Sequence, residues 1–298
     1  MKRFLLLGIL SALISVCHAQ TYYYNDQYFD RLIIAETGLS IGAMNCLTDL
    51  GGKPGRSKPF YKDINWNCTR PCAGAFVSFL YRYTIGGRLE IAFGNVNAAD
   101  SVLRRNISDA VNRYNRNLHF KSRITECLLM FEFHPLSLLQ DPYEYSTRLS
   151  PYLAAGVGIF SFDPKTFHNG QWISLSPLRT EGQGFPTFPE RLPYKTTQIN
   201  FPLGFGLKYE ASALFNIRWE FIYRFLNTDY LDDVSDRYID PALFYQYLNP
   251  SMASLAATLS DRRRPGAAGG GRRGNPEKND GYFSLSLKLS IIVNRKRT

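Results

Sequence analysis

The 298-residue sequence predicts an all-β fold, an eight-stranded antiparallel β-barrel that crosses a membrane with its strands. Three observations point there. Eight segments alternate apolar and polar residues with a period of two, which puts the two kinds on opposite faces of a strand. A secretory leader precedes them. The connections alternate between short and long, as in barrels with short periplasmic turns and four long external loops.

The first strand is expected over Leu32 to Met44, with Glu36 and Ser40 inward and Ile33, Leu39 and Ile41 outward. The second covers Cys72 to Thr84, with Ser78 and Arg82 inward. An Ile85-Gly86-Gly87 turn then leads to the third, Arg88 to Val96, where Arg88 and Glu90 oppose Leu89, Ile91 and Phe93. A Gly-Gly pair between alternating runs is a hairpin signal. The fourth strand, His119 to Phe133, sets Glu126 and Glu132 against Cys127, Leu129 and Phe131. The fifth, Arg148 to Phe160, alternates Leu153, Ala155 and Val157 with Ala154, Gly156 and Gly158. The sixth, Thr196 to Tyr209, and the seventh, Leu214 to Phe225, are joined by a short Glu210-Ala211-Ser212 turn. They carry Lys208, Arg218, Glu220 and Arg224 opposite faces rich in Phe, Tyr and Trp. The eighth, Tyr282 to Ile291, alternates Phe283, Leu285, Leu287, Leu289 and Ile291 with Ser284, Ser286, Lys288 and Ser290.

A soluble lipocalin-type barrel would point the apolar faces inward around a ligand. The mid-strand charges decide against it: Glu36, Arg82, Arg88, Glu90, Glu126, Glu132, Lys208, Arg218, Glu220 and Arg224. Inside a narrow membrane barrel they pair with one another and with trapped water, while the apolar faces meet lipid. Small outer-membrane barrels of the OmpA and OmpW kind have this design. Eight strands leave a lumen that side chains fill, so the charges read as a structural network and not as an open pore.

Lys2 and Arg3, the apolar run Phe4 to Val16 and Cys17-His18-Ala19 make residues 1–19 a signal peptide, with a single barrel domain over 20–298. Export and the oily strand faces together locate the chain in the bacterial outer membrane. The formal charge is +10, of which Lys2 and Arg3 carry two, leaving +8 after processing. A basic balance can signify nucleic acid, but an exported barrel meets anionic lipopolysaccharide or an acidic protein instead.

Four cysteines remain in the mature chain, in a compartment that tolerates disulfides. Cys46 and Cys72 fall at the ends of neighbouring strands and are the preferred pair, with Cys68 the other partner for Cys46. The loop after the seventh strand holds Asp229, Asp232, Asp233 and Asp240, weak candidates for Ca²⁺, though the spacing is not that of an EF-hand. The same loop continues into Arg262-Arg263-Arg264 and Arg272-Arg273, read as a flexible basic tip. No cofactor motif is present. Ser122 with His119 is the one serine–histidine combination to weigh for a hydrolase, and it lacks a nucleophile elbow.

Several stretches resemble a known family. They are Tyr23 to Asp30, Gly42 to Gly52, Arg179-Thr180-Glu181-Gly182-Gln183-Gly184-Phe185, Pro193-Tyr194-Lys195 and Asn227 to Ser235. They resemble the Bacteroidota outer-membrane proteins of the DUF6089 group, which includes the PorG-type component of the type IX secretion system. The resemblance implies a non-enzymatic barrel that anchors a periplasmic ring of PorK- and PorN-like proteins. It also implies that the short turns, the N-terminal aromatic segment and the basic tail make the contact. Two other classes remain: a lipopolysaccharide-modifying enzyme, and a passive surface barrel or adhesin.

Overall fold

The computed structural model describes residues 28–29, 32–51, 64–101, 107–139, 148–266 and 271–297. The expected signal peptide and the Tyr23-to-Gln27 part of the aromatic segment lie outside the described residues.

Eight long strands make the barrel: β2 (Ile33–Leu47), β3 (Arg70–Tyr81), β4 (Ile85–Ala99), β5 (His119–Phe133), β6 (Leu149–Ser161), β9 (Thr197–Glu210), β10 (Phe215–Leu226) and β11 (Gly281–Ile292). Each pairs antiparallel with its neighbour, and the sheet closes because β11 also pairs with β2. Closure leaves no barrel edge with unpaired backbone groups, the condition for strands in a bilayer. Two short ribbons lie outside the barrel wall. β7 (Pro164–His168) and β8 (Gln171–Ser174) form a hairpin in an external loop, while β1 (Tyr28–Phe29) pairs with β12 (Lys296–Arg297) at the opposite rim.

The expected side-chain alternation holds in every wall strand, and the faces are as expected. Leu39 is 68 % exposed and Leu129 60 %, whereas Glu36 and Arg218 are at 0 %. A soluble protein does not present so continuous an apolar girdle to water. Lipid covers it.

The β3–β4 hairpin corrects one expectation. Its turn is Arg82-Tyr83-Thr84, with Arg82 and Tyr83 at φ 46° and 57°, and Thr84 N–H donates to Tyr81 O at 3.0 Å. Two successive positive φ values give the twist that matches paired strands. Gly86 and Gly87 lie within β4, opposite Leu80 and Phe79. Arg82 therefore leaves the lumen set: it stands exposed at the turn, its guanidinium 5.5 Å from the Tyr81 ring centre.

Gly206 on β9 is needed for space. A Cβ there would collide with the Tyr152 ring of the adjoining β6, which lies across the glycine. The ring's hydroxyl then reaches Glu220 at 2.8 Å.

Candidate functional site: a sealed lumen and an external cap

Five cations meet five glutamates inside the barrel. Arg218 on β10 sits with one nitrogen 2.6 Å from Glu36 and another 2.9 Å from Glu132. Arg88 on β4 bridges Glu132 at 2.5 Å and Glu220 at 2.7 Å. Lys288 on β11 holds Glu90 at 2.5 Å and Glu220 at 2.7 Å, and Lys208 on β9 holds Glu36 at 2.5 Å. Nearer the external mouth, Arg224 pairs with Glu126 at 2.6 Å, and Tyr282 donates to the same carboxylate at 2.6 Å. Nine of the ten sequence candidates converge here, and Lys288 takes the place that Arg82 was expected to fill. Phe76 was missed as well: its ring lies between 5 and 6 Å from Lys288, Arg218 and Arg88. Such cation–ring contacts offset part of the hydration these groups lose.

Apolar residues close the lumen at both ends. Ile34, Leu80 and Ile292 close its periplasmic end. At the external end Met44, Val96, Phe120, Ile124, Phe160 and Phe162 pack with the loop residues Leu50, Leu231 and Val234. Charges in the middle and apolar plugs at both ends make a stopper, because each removes what an ion would need to pass. Desolvated ion pairs persist only when every partner is present.

Above the external plug the long loops fold into a cap with a second apolar core. Helices α2 (Ala242–Tyr247) and α3 (Pro250–Ser260) supply Phe244, Ala253, Ala256 and Leu259, which pack on Leu175, Leu178 and Phe185 of the β6–β9 loop. Two arginines clamp the loops. Arg116, at the end of α1 (Ile107–Arg116), binds Asp100 at 2.8 Å and the carbonyl oxygens of Asp49 and Arg273 at 2.6 Å each. Arg273 binds Glu181 at 2.9 Å. The expected basic tip is thus glue for the cap. Arg262 donates to Thr166 Oγ1 at 3.0 Å, Arg263 pairs with Asp261, and Arg264 stacks 4.1 Å from the Tyr114 ring. Residues 267–270 lie outside the described residues.

The Ca²⁺ candidates separate. Asp233 accepts from Tyr194 at 2.6 Å and Thr180 at 2.5 Å, and Asp240 caps α2 through the Ala242 amide. Asp229 and Asp232 instead join Asp49 and Asp280 from distant parts of the chain. Asp280 takes the Leu231 amide at 2.9 Å, and Asp232 takes the Leu50 amide at 3.0 Å. Among the described residues no three such side chains are arranged to hold a metal ion.

Burial and the neighbouring carboxylates push Asp229 up to about 9 and Asp232 up to about 8, with Asp280 raised as well. Arg116 opposes the shift on Asp232. A carboxyl raised in the folded state binds its proton more tightly there, so its stabilisation is complete below about 4 and is lost as pH climbs through 8 to 9. Hydrogen-exchange protection of the Leu231 and Val234 amides, corrected for intrinsic rate, should therefore fall between pH 7 and 9.5. Asp229→Asn should flatten that fall, and an unchanged pH profile in the variant would show that the cluster does not control the cap.

The preferred disulfide is not formed. The β2–β3 register sets Cys72 opposite Gly42, four residues from Cys46, a separation of about 13 Å along a strand and too far for a bridge. Cys68 shares a small cavity with Cys46 beside Asn97, and both thiols are free. Ser122 and His119 also do not meet. Ser122 accepts the Asp163 amide at 2.9 Å, and His119 accepts the Phe167 amide at 3.0 Å. His134 contacts Ser150 at 2.9 Å with Glu132 3.7 Å from its other nitrogen. That glutamate is already spent on Arg88 and Arg218, and the cavity beside the pair measures about 20 Å³, too small for a substrate.

An apolar girdle around a charged, plugged lumen is the inside-out arrangement that only a bilayer rewards. This is an integral outer-membrane barrel. No family model and no curated protein matches the chain. Among solved structures it is similar to Neisserial surface protein A (NspA), at 10 % identity and TM-score 0.37, over 87 % of this chain and 97 % of that one. It is also similar to Ail, the attachment invasion locus protein of Yersinia pestis, in complex with the heparin analogue sucrose octasulfate. That match has 10 % identity and TM-score 0.37, over 86 % and 97 % of the two chains. A third is the outer membrane protein OprG from Pseudomonas aeruginosa, at 11 % identity and TM-score 0.33, over 87 % and 94 %.

Proposed function

We propose that this chain is a non-enzymatic structural barrel of type IX protein secretion that anchors a periplasmic ring to the outer membrane. The observation that carries the reading is the sealed lumen. A barrel with no passage works through its surfaces. Support also comes from three of the stretches that resemble the DUF6089 group, around Glu181, Tyr194 and Asp233, which lie far apart in sequence and pack together in the cap. Tyr194 stacks on Tyr230 at 4.8 Å and donates to Asp233, while Glu181 accepts the Ser235 amide at 2.9 Å.

The periplasmic rim offers the contact surface. Leu32, Leu138 and Val293 are exposed there beside Arg82. The β1–β12 ribbon joins Tyr28–Phe29 to Lys296–Arg297 there, and Asn294 bonds the Ala35 amide and the Ile33 carbonyl at 2.9 and 2.7 Å. Exposed apolar side chains framed by a cation suit a protein partner more than water.

A photo-crosslinker at position 138 is expected to capture PorK- or PorN-like ring proteins in cells. The pair Arg82→Glu and Leu138→Glu should abolish their co-purification and cargo secretion while leaving the barrel at its normal level. Secretion that persists after deletion of the whole protein would end this reading.

A further inference from the structure

The lipid-facing wall is not uniformly ridged. On its external half a shallow groove of about 1000 Å³ runs across β4, β3, β2 and β11 to Trp219 on β10. Its floor is built from small outward side chains. Ala43 lies opposite Pro71, and Ala73 lies opposite Ile41. Phe93, paired with Ala73, forms one bank; Leu285 and Leu287, the latter paired with Trp219, form the other. A trough a few methyl groups wide between aromatic and aliphatic ridges has the shape of a hydrocarbon chain. Across β4 and β5, by contrast, Leu89 faces Leu129.

The upper end of the groove is cationic. Arg123 on β5 lines it, Lys121 stands two residues further toward the outside, and beyond them Arg70 on β3 sits with its Nε 2.8 Å from Asn97 Oδ1. The register places Arg123 beside Asn95 and Lys121 beside Asn97. Adjacent strands lie about 4.8 Å apart, so the three cations start from backbone positions within about 10 Å of one another. All three residues are exposed, and among the described residues none forms an ion pair. The charges inside the lumen balance; these do not. No acidic side chain among the described residues pairs with them, and they stand at the depth where anionic lipid headgroups begin.

We infer that this groove seats lipopolysaccharide, with one acyl chain along the Ala43–Pro71–Ala73 floor and a lipid A phosphate held by Arg123, Lys121 and Arg70. The long loops mark this end as external, and the amphiphile of the outer membrane's external leaflet carries both phosphate and acyl chains. Two asparagines, Asn95 and Asn97, stand ready to bond the phosphate or the sugar. The inference rests on the outer-membrane placement and is independent of the secretion role. Anionic lipid near a basic cluster gains from each lysine or arginine, and a matched groove adds apolar contact without loss of protein side-chain entropy.

The test compares three full-length proteins extracted in mild detergent from native membranes: wild type, the pair Lys121→Glu with Arg123→Glu, and Ala73→Phe. Folding of each is checked by heat-modifiable migration, and bound lipid is measured by native mass spectrometry before and after adding purified lipopolysaccharide. Wild type is expected to keep about one lipopolysaccharide per barrel, and both variants to keep roughly tenfold less while still folded, as the loss of two basic contacts implies. Equal retention by all three folded proteins overturns the site while leaving the membrane barrel intact. Retention of phospholipid in place of lipopolysaccharide overturns the occupant. A wild-type chain that stays monomeric without detergent overturns the membrane placement itself.

Discussion

Arg218→Ala is expected to destabilise the barrel by about 3–5 kcal/mol, the range for removing one partner of a buried ion pair. The residue holds Glu36 and Glu132 together and donates to Ser78 at 3.1 Å. Both glutamates are fully buried. Removing the guanidinium leaves Glu36 with Lys208 and the Ser290 hydroxyl, and Glu132 with Arg88 and the His134 ring 3.7 Å away, each carboxylate short of a charged donor that replaced its water. The apolar plugs keep solvent from filling the gap. Urea titration of barrels refolded into lipid vesicles measures the change. A loss under about 1 kcal/mol, the usual worth of a solvent-exposed pair, would show that water reaches the network and that the lumen is not sealed. Exchanging Arg218 for methionine together with Glu36 for glutamine should cost less than the two single changes added, because neighbours in one network are not independent.

Leu129→Arg is the second large effect, and its sign separates a membrane barrel from a soluble one. Leu129 lies near the middle of β5, faces out, and is flanked by Leu89 and Val157 on adjoining strands. An arginine at the bilayer midplane of an outer-membrane barrel costs about 2–4 kcal/mol. The same change at a water-exposed position normally stays within about 0.5 kcal/mol. Equilibrium unfolding in vesicles, run beside Leu192→Arg in the exposed external β8–β9 loop, should show a large loss for the first and little for the second. Equal, small effects would mean that water and not lipid surrounds β5.

The strands were legible because alternation is a local property. β5 runs over His119–Phe133 as expected, and the other wall strands differ from expectation by a few residues at their ends. The hairpin turn was misplaced for a local reason too. Gly86-Gly87 advertises a turn, yet the cross-strand pairing of Leu80 with Gly86 extends β4 back to Ile85 and hands the positive-φ positions to Arg82 and Tyr83. Arg82 has the parity of a lumen residue but stands beyond the last paired position. Lys288 carried a signal, its place opposite Leu287 and Leu289, and belonged with the charges from the start. Phe76 carried none, since an aromatic on a polar face reads as noise until three cations are seen around it.

The acidic cluster and the cysteines lay further out of reach. Asp49, Asp229, Asp232 and Asp280 come from the β2–β3 and β10–β11 loops, and no spacing rule links residues more than 180 positions apart. The disulfide expectation had the right strands as neighbours and the wrong offset between them.

The order of apolar and polar residues by itself determined that eight strands form, which face of each is oily, and that glutamates and cations share one side, because a strand alternates its side chains whatever surrounds it. Which carboxylate meets which cation was decided only by closure. Arg218 reaches Glu36 across 182 residues because the barrel's stagger brings their levels together. The plugs and the cap followed from the same cause. A ring of strands fixes where the loops end, and only then do Leu231, Val234 and Phe120 find one another over the mouth.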